Sequence, residues 1–174
     1  PQTLYDWDAT RFHELSIDNN VSFEVKSLES PKSKQLIVKV LRYTNGELKG
    51  LKGNIHWDEN NVSKSSMNVS VDVSTINTDI EMRDKHLRSE DYFDAVKYPQ
   101  ITFQSTSINA GAVTGKLTIK GVSKNISFPY TVKKVNGMYV FEGKFSINRK
   151  DFNVGGSFST ISNNVDVTLK VKAK

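Results

Sequence analysis

Hydrophobic and polar residues alternate with a period of two along most of the chain, the pattern of strands with one buried face. In NVSFEVKS, Val21, Phe23 and Val25 share a face opposite Ser22, Glu24 and Lys26. GNIHWD sets Ile55 with Trp57, and SMNVSVDV sets Met67, Val69, Val71 and Val73 together. QITFQST aligns Ile101 with Phe103, and GKLTIK aligns Leu117 with Ile119. ISFPYTVK aligns Ile126, Phe128, Tyr130 and Val132, and YVFEGKFSI aligns Tyr139, Phe141, Phe145 and Ile147. VDVTLKVK turns Val165, Val167, Leu169 and Val171 one way and Asp166, Thr168, Lys170 and Lys172 the other. QLIVKVLRY reads as a further strand, apolar on both faces.

Turn chemistry joins these runs. Asn136-Gly137 suits a two-residue hairpin, because both residues tolerate positive φ. KGVSKN and NAGA read as longer hairpin loops. Pro129 interrupts a clean strand and points outward by parity, which marks an edge, a bulge or a strand end. An all-β domain of about eight antiparallel strands must manage its edges. A single closed barrel does so best, with a two-sheet sandwich as the rival; Val69, Val71, Leu117, Ile119, Phe128 and Phe141 would face inward. No repeat or linker interrupts the chain, so residues 1–174 read as one domain with an N-terminal extension over 1–13.

One stretch breaks the alternation. NTDIEMRDKHLRS predicts a short helix over about Thr78–Ser89, with Thr78 and Glu81 spaced as a capping box. Glu81–Lys85 and Asp84–Arg88 are acid-before-base pairs four residues apart, read together with Asp91 and Asp94 as a solvated ionic lattice. Ser89 would cap a second short turn, EDYFD. The apolar stripe is thin, Ile80, Met82 and Leu87, so the helix should lie on the surface across one end of the barrel. Tyr92, Phe93 and Tyr98 would anchor the return, and Pro99 biases Tyr98 towards extended backbone before QITF resumes the sheet.

Composition narrows the chemistry. The 174 residues are 37% hydrophobic and 25% charged, with a net charge of +5 from 24 basic and 19 acidic side chains. The lysines are scattered singly and no nucleic-acid motif accompanies them, so nucleic acid is not an expected partner. No apolar run approaches the roughly 20 residues of a membrane helix. The absence of cysteine excludes disulfides, a thiol nucleophile and a Cys-ligated metal site. His13, His56 and His86 have no metal-ligand spacing. His56 has the parity of the outer face, and His86 reads either as a cap-packing histidine or as a contact to a ligand head group. GVSKN lacks a nucleophile elbow, and NVGGS lacks the strand–helix context of a phosphate loop. The expectation is a protein with no catalytic constellation, no metal and no cofactor. The chain opens on Pro1 rather than methionine, as it would if a signal peptide or other leading residues had been removed.

Three segments carry a resemblance to a known family. RDKHLRSEDYFDAVKYPQITF, then GKLTIKGVSKNISFPYTV, then Arg149-x-Asp151-Phe152 resemble the signature of the YceI-like proteins of bacteria, from about Leu15 to the C-terminus. Two positions depart from it: Asn20 stands where the family often has histidine, and Asn153 where it tends to have glycine. The resemblance implies an extended, lipocalin-like antiparallel barrel with a helical cap and a long apolar interior. It implies binding, transport or storage of a long-chain lipid such as a polyisoprenoid, an isoprenoid quinone or a fatty-acid-like chain. It also implies a periplasmic or secreted location, and it is compatible with a homodimer. Alternation alone favours a core filled by side chains; the resemblance favours a cavity. Its walls would be Phe23, Val25, Met67, Val69, Val71, Phe103, Leu117, Ile119, Phe128, Tyr130, Phe141 and Phe145. Met82, Arg83, His86, Leu87 and Phe93 would form the mouth and cap. The alternative is an extracellular β-module with a filled core that binds a glycan or a partner protein on its outer face.

Overall fold

A computed structural model describes residues 12–14, 20–29, 40–156 and 161–173, with side chains over 45–156 and 162–173. Among the described residues ten strands form one antiparallel sheet: β1 (Phe12–Glu14), β2 (Asn20–Glu29), β3 (Val40–Lys49), β4 (Lys52–His56), β5 (Ser66–Asp72), β6 (Gln100–Ile108), β7 (Ala112–Ile119), β8 (Val122–Val135), β9 (Met138–Asn148) and β10 (Ile161–Ala173). Their spatial order is β1-β4-β5-β6-β7-β8-β9-β10-β2-β3. The sheet curls as a half-barrel. Edge strand β3 returns to the segment after β5, where Glu47 and Asn77 exchange backbone hydrogen bonds of 2.9 Å and the Lys49 amide donates to Thr75 Oγ1 at 3.0 Å. A continuous sheet excludes the sandwich.

The nine runs each give one strand, and the tenth is the three-residue β1, which begins in the segment read as an extension and pairs with β4. Strand β3 also runs on through TNGELK, beyond the QLIVKVLRY run; residues 30–39 lie outside the described ones. Asn136 and Gly137 take φ of 51° and 78°, the two-residue turn the sequence predicts. Lys120 and Gly121 do the same, at 49° and 74°, so KGVSKN is a tight turn and not a long loop. Pro129 sits where β8 changes partner. Its first half, Val122 to Pro129, pairs with β7, and Tyr130 to Val135 pairs with β9. A residue without an N–H is tolerated at that switch.

The inward faces follow parity. Met67, Val69, Val71 and Val73 are buried on β5 and after it, as are Ile55 and Trp57, Val113, Leu117 and Ile119, Phe128, Phe141, Val167 and Val171. A bulge between Ser105 and Ser107 flips β6, so that both Phe103 and Ile108 point inward although their numbers differ in parity. Gly115 and Gly143 occupy inward positions beside aromatic rings. A Cβ on Gly115 would lie 2.5 Å from the Phe103 ring, and one on Gly143 would lie 3.1 Å from the Phe128 ring.

Helix α1 (Glu81–Arg88) connects β5 to β6. Its start differs from the expected capping box. Residue 80 is the cap position, and no side chain caps it. Asp84 is instead buried and reaches back: its Oδ1 accepts the Thr78 amide at 2.9 Å and the Thr78 hydroxyl. Arg83 completes the knot, with Nε donating to Thr78 Oγ1 at 2.8 Å and Nη2 to Thr78 O at 2.7 Å. No ion pair among the described residues involves α1; Arg88 donates to Ser74 O at 3.1 Å rather than pairing with Asp84. A carboxylate accepting buried donors is bound more firmly than one exchanging an exposed partner with water, which is why Asp84 leaves the lattice. Ser89 caps no second turn with its hydroxyl, which donates to His86 O at 2.7 Å and closes α1.

Candidate functional site

Two things meet at one end of the sheet. The cap segment crosses it, and the 3-10 turn Arg149–Phe152 with its following loop folds beneath. The Gly155 amide donates to Asp91 O at 3.0 Å, and Lys120 Nζ bridges Glu90 O and Asn153 O at 2.7 and 3.1 Å. Asn153 takes the left-handed conformation, which asparagine tolerates better than most residues other than glycine. Gly155, at φ 70°, is required: a Cβ would stand 2.9 Å from both the Tyr92 ring and Arg149 Nη1. The return segment is pinned as expected, with the Val73 amide donating to Pro99 O at 2.8 Å and the Tyr98 ring lying over Gly121.

Below this cap lies a cavity of about 410 Å³. Among the expected residues, Val69, Val71, Phe103, Leu117, Ile119, Phe128 and Phe145 line its walls, and Arg83, His86, Leu87 and Phe93 line it from the cap. Leu48, Leu51, Tyr92, Ile101, Thr102, Ile147, Arg149, Phe152, Val154, Val165, Val167 and Leu169 complete it. Ile101, Ile147, Val165, Val167 and Leu169 carry the inward parity that identifies them in sequence; nothing in alternation marks Arg149 or the loop residues. Phe23 and Val25 lie in β2, opposite Val167 and Val165 in register, and their side chains lie outside the described ones.

Three expected residues fall elsewhere. Along β5 and β7 the cap-side residues Val71 and Ile119 meet the cavity, whereas Met67 and Val113 reach only a second void of about 20 Å³. Met67, Tyr130 and Phe141 line that second void with Trp57. Aromatic packing fills this half: Trp57 stands edge-on to Phe141 at 5.3 Å and to Tyr130 at 6.0 Å. Phe128 stacks on Phe145 at 4.5 Å and tilts against Phe103 at 5.6 Å, forming the floor between the halves. The interior is thus part filled and part open. Met82 is the other correction. It is 85% exposed, and Ile80 is 51% exposed, because Asp84 and Leu87, not the Ile80–Met82 side, turn towards the barrel.

Among the described residues the wall is apolar apart from Arg83, His86, Tyr92, Thr102 and Arg149, and no aspartate or glutamate lines it. The His86 ring stands edge-on to Tyr92 at 4.8 Å, so it packs within the cap while bordering the cavity. Arg149 is 6% exposed. Its Nε donates to Ser162 O at 3.1 Å and its Nη1 to Val154 O and Gly156 O at 2.8 and 3.0 Å. No cluster of three or more His, Cys, Asp or Glu able to hold a metal occurs among the described residues. His56, expected on the outer face, is half-buried.

Sequence comparison matches a YceI-like domain over residues 16–173. The chain belongs to the YceI-like family. Protein YceI of Escherichia coli O17:K52:H18 is 33% identical over 141 residues, which cover 73% of this chain and 72% of that protein. Protein YceI of Salmonella arizonae is 31% identical over the same shares. Among solved structures, BcnA of Burkholderia cenocepacia superposes with a TM-score of 0.75 at 29% identity, covering 89% of this chain and 96% of BcnA. A polyisoprenoid binding domain from Saccharophagus degradans shares the fold, with a TM-score of 0.70 at 16% identity over 93% of this chain and 97% of that domain. The YceI-like assignment and these neighbours place the curled sheet among the lipocalin-like barrels.

Proposed function

We propose that this chain binds a long-chain apolar lipid, such as a polyisoprenoid, an isoprenoid quinone or a fatty-acid-like chain, and carries or stores it. The observation that supports the reading most is the cavity of about 410 Å³ beneath the cap, with aliphatic and aromatic walls. Its size falls in the range of small-molecule sites, about 300–1,000 Å³. A sheet that packs one half of its interior with aromatic rings leaves the other half open, where filling side chains would otherwise add dispersion contacts. The fold neighbour described as a polyisoprenoid binding domain supports the same reading. Burying several hundred Å² of an apolar chain would contribute on the order of 10 kcal/mol before ordering costs. Such a role needs no reaction, and we propose none.

Family membership also supports a periplasmic or secreted site of action in a bacterium, which cell fractionation with an antibody against the chain would check. Native mass spectrometry of the purified protein, followed by organic extraction, tests the function. A copurifying long-chain lipid, or saturable uptake of one, is expected. A protein that neither carries nor takes up any apolar chain would favour the module that recognises a glycan or a protein on its outer face.

A further inference from the structure

The guanidinium of Arg149 has five N–H donors. Three are used, one from Nε to Ser162 O and two from Nη1 to Val154 O and Gly156 O. Those bonds tie the loop after Phe152 to β10 and account for the structural use of the residue. They leave Nη2, which is buried and has no hydrogen-bond partner. Arg149 also lines the apolar cavity. A buried cation in an apolar wall is costly unless an opposite charge and an acceptor reach it. Among the described residues no acidic side chain lines the cavity, the ion pairs Glu47–Lys49, Lys52–Asp72 and Glu142–Lys170 leave Arg149 out, and no acceptor reaches Nη2. Arg83 adds a second positive charge to the same wall, from the cap.

We propose that Arg149 Nη2 is a head-group subsite that takes an anionic oxygen, from a carboxylate or a phosphate, at the end of the apolar chain. The proposal rests on the lipid-binding reading above. The head lies against the loop beneath the cap, and the chain runs along Val71, Ile119 and Leu117 towards the Phe128 floor. Because Nε and Nη1 already serve backbone carbonyls, the usual two-pronged grip on a carboxylate is not open. The contact is end-on, through the two hydrogens of Nη2 alone. This favours a compact head with one or two oxygens turned to the arginine.

The test compares ligands of one chain length on the unaltered protein: hexadecanoate, hexadecyl phosphate, hexadecanol and methyl hexadecanoate, each by displacement of a fluorescent probe below its micelle concentration. One or both anions should bind about tenfold or more tightly than the alcohol and the ester, the size of one charged hydrogen bond. Preference for hexadecanoate alone assigns a carboxylate, and preference for hexadecyl phosphate alone assigns a phosphate. The preference should vanish in Arg149→Gln and persist in Arg83→Gln. Should Arg149→Gln fail to fold, hexadecanoate labelled with carbon-13 at its carboxyl decides on the unaltered protein: its carboxyl should stay ionised to lower pH when bound than when free. Equal binding of anion, alcohol and ester overturns the subsite and leaves lipid binding intact. Loss of the preference in Arg83→Gln with retention in Arg149→Gln overturns it too. Binding of none of the four, with no long-chain lipid in the organic extract, overturns both readings.

Discussion

Asp84→Ala tests what holds the cap over the cavity. Asp84 is 6% exposed, and a single oxygen of it serves two donors of Thr78, itself 4% exposed. The Thr78 hydroxyl and carbonyl in turn anchor Arg83, which borders the cavity. Removing the carboxylate leaves a buried amide and a buried hydroxyl in need of acceptors, at about 1–3 kcal/mol each. Relief of the carboxylate's own desolvation offsets part of that, so a net loss of about 2 kcal/mol or more is expected. Asp84→Asn keeps one acceptor oxygen and should lose about 1 kcal/mol less. Urea unfolding followed by circular dichroism gives both values, and amide exchange at Thr78 reports the local loss directly. If Asp84→Ala costs under about 0.5 kcal/mol, as an ordinary surface substitution does, the knot does not hold the cap and the reasoning fails.

Leu87→Asp places a charge on the cavity wall and should speed lipid release, whereas Glu81→Gln, at an exposed site, should not; equal off-rates from the two folded variants would make α1 a connection and not a gate. Gly115→Ala drives a methyl group into the Phe103 ring and the backbone of β6, and should lower stability by about 1–3 kcal/mol in thermal unfolding; an unchanged transition would show that the ring has room to move. Burial holds the Tyr130 phenol above its ordinary value, so above about pH 10 the folded state retains a proton that the unfolded chain has released. Stability therefore falls as pH rises through that window, and Tyr130→Phe, measured by urea midpoints across it, should lessen the fall; identical slopes in the two proteins would contradict this.

Alternation was enough to orient most of the sheet. Each inward residue on β5, β7 and β9 named from parity is buried or half-buried, because a one-residue slip would expose every apolar side chain of a strand at once. The tight turn at Asn136-Gly137 and the surface helix were legible for equally local reasons. Local rules failed where a distant partner competes. Asp84 has the spacing of a surface ion pair with Arg88, yet two buried donors on Thr78 outbid an exposed cation. Met82 lies about 140° from Leu87 on a helical wheel, so the two cannot share one buried side, and the side that is buried is the one Asp84 ties down.

Parity says which residues face inward; it cannot say whether they meet. Whether the interior is filled or open depends on how far the curl of the sheet separates opposite walls, and here the answer changes along the barrel. Trp57 reaches Tyr130 and Phe141 at one end, while Val71, Leu117 and Leu169 face open space at the other. The burial of Arg149 is of the same kind. In sequence it is one basic residue in a short motif, and only the folding of the loop after Phe152 spends three of its donors on backbone carbonyls and leaves Nη2 without a partner. The sequence by itself determined the faces, the turns and the family; the tertiary structure alone decided the void and the charge at its edge, because both arise from groups brought together across the sheet.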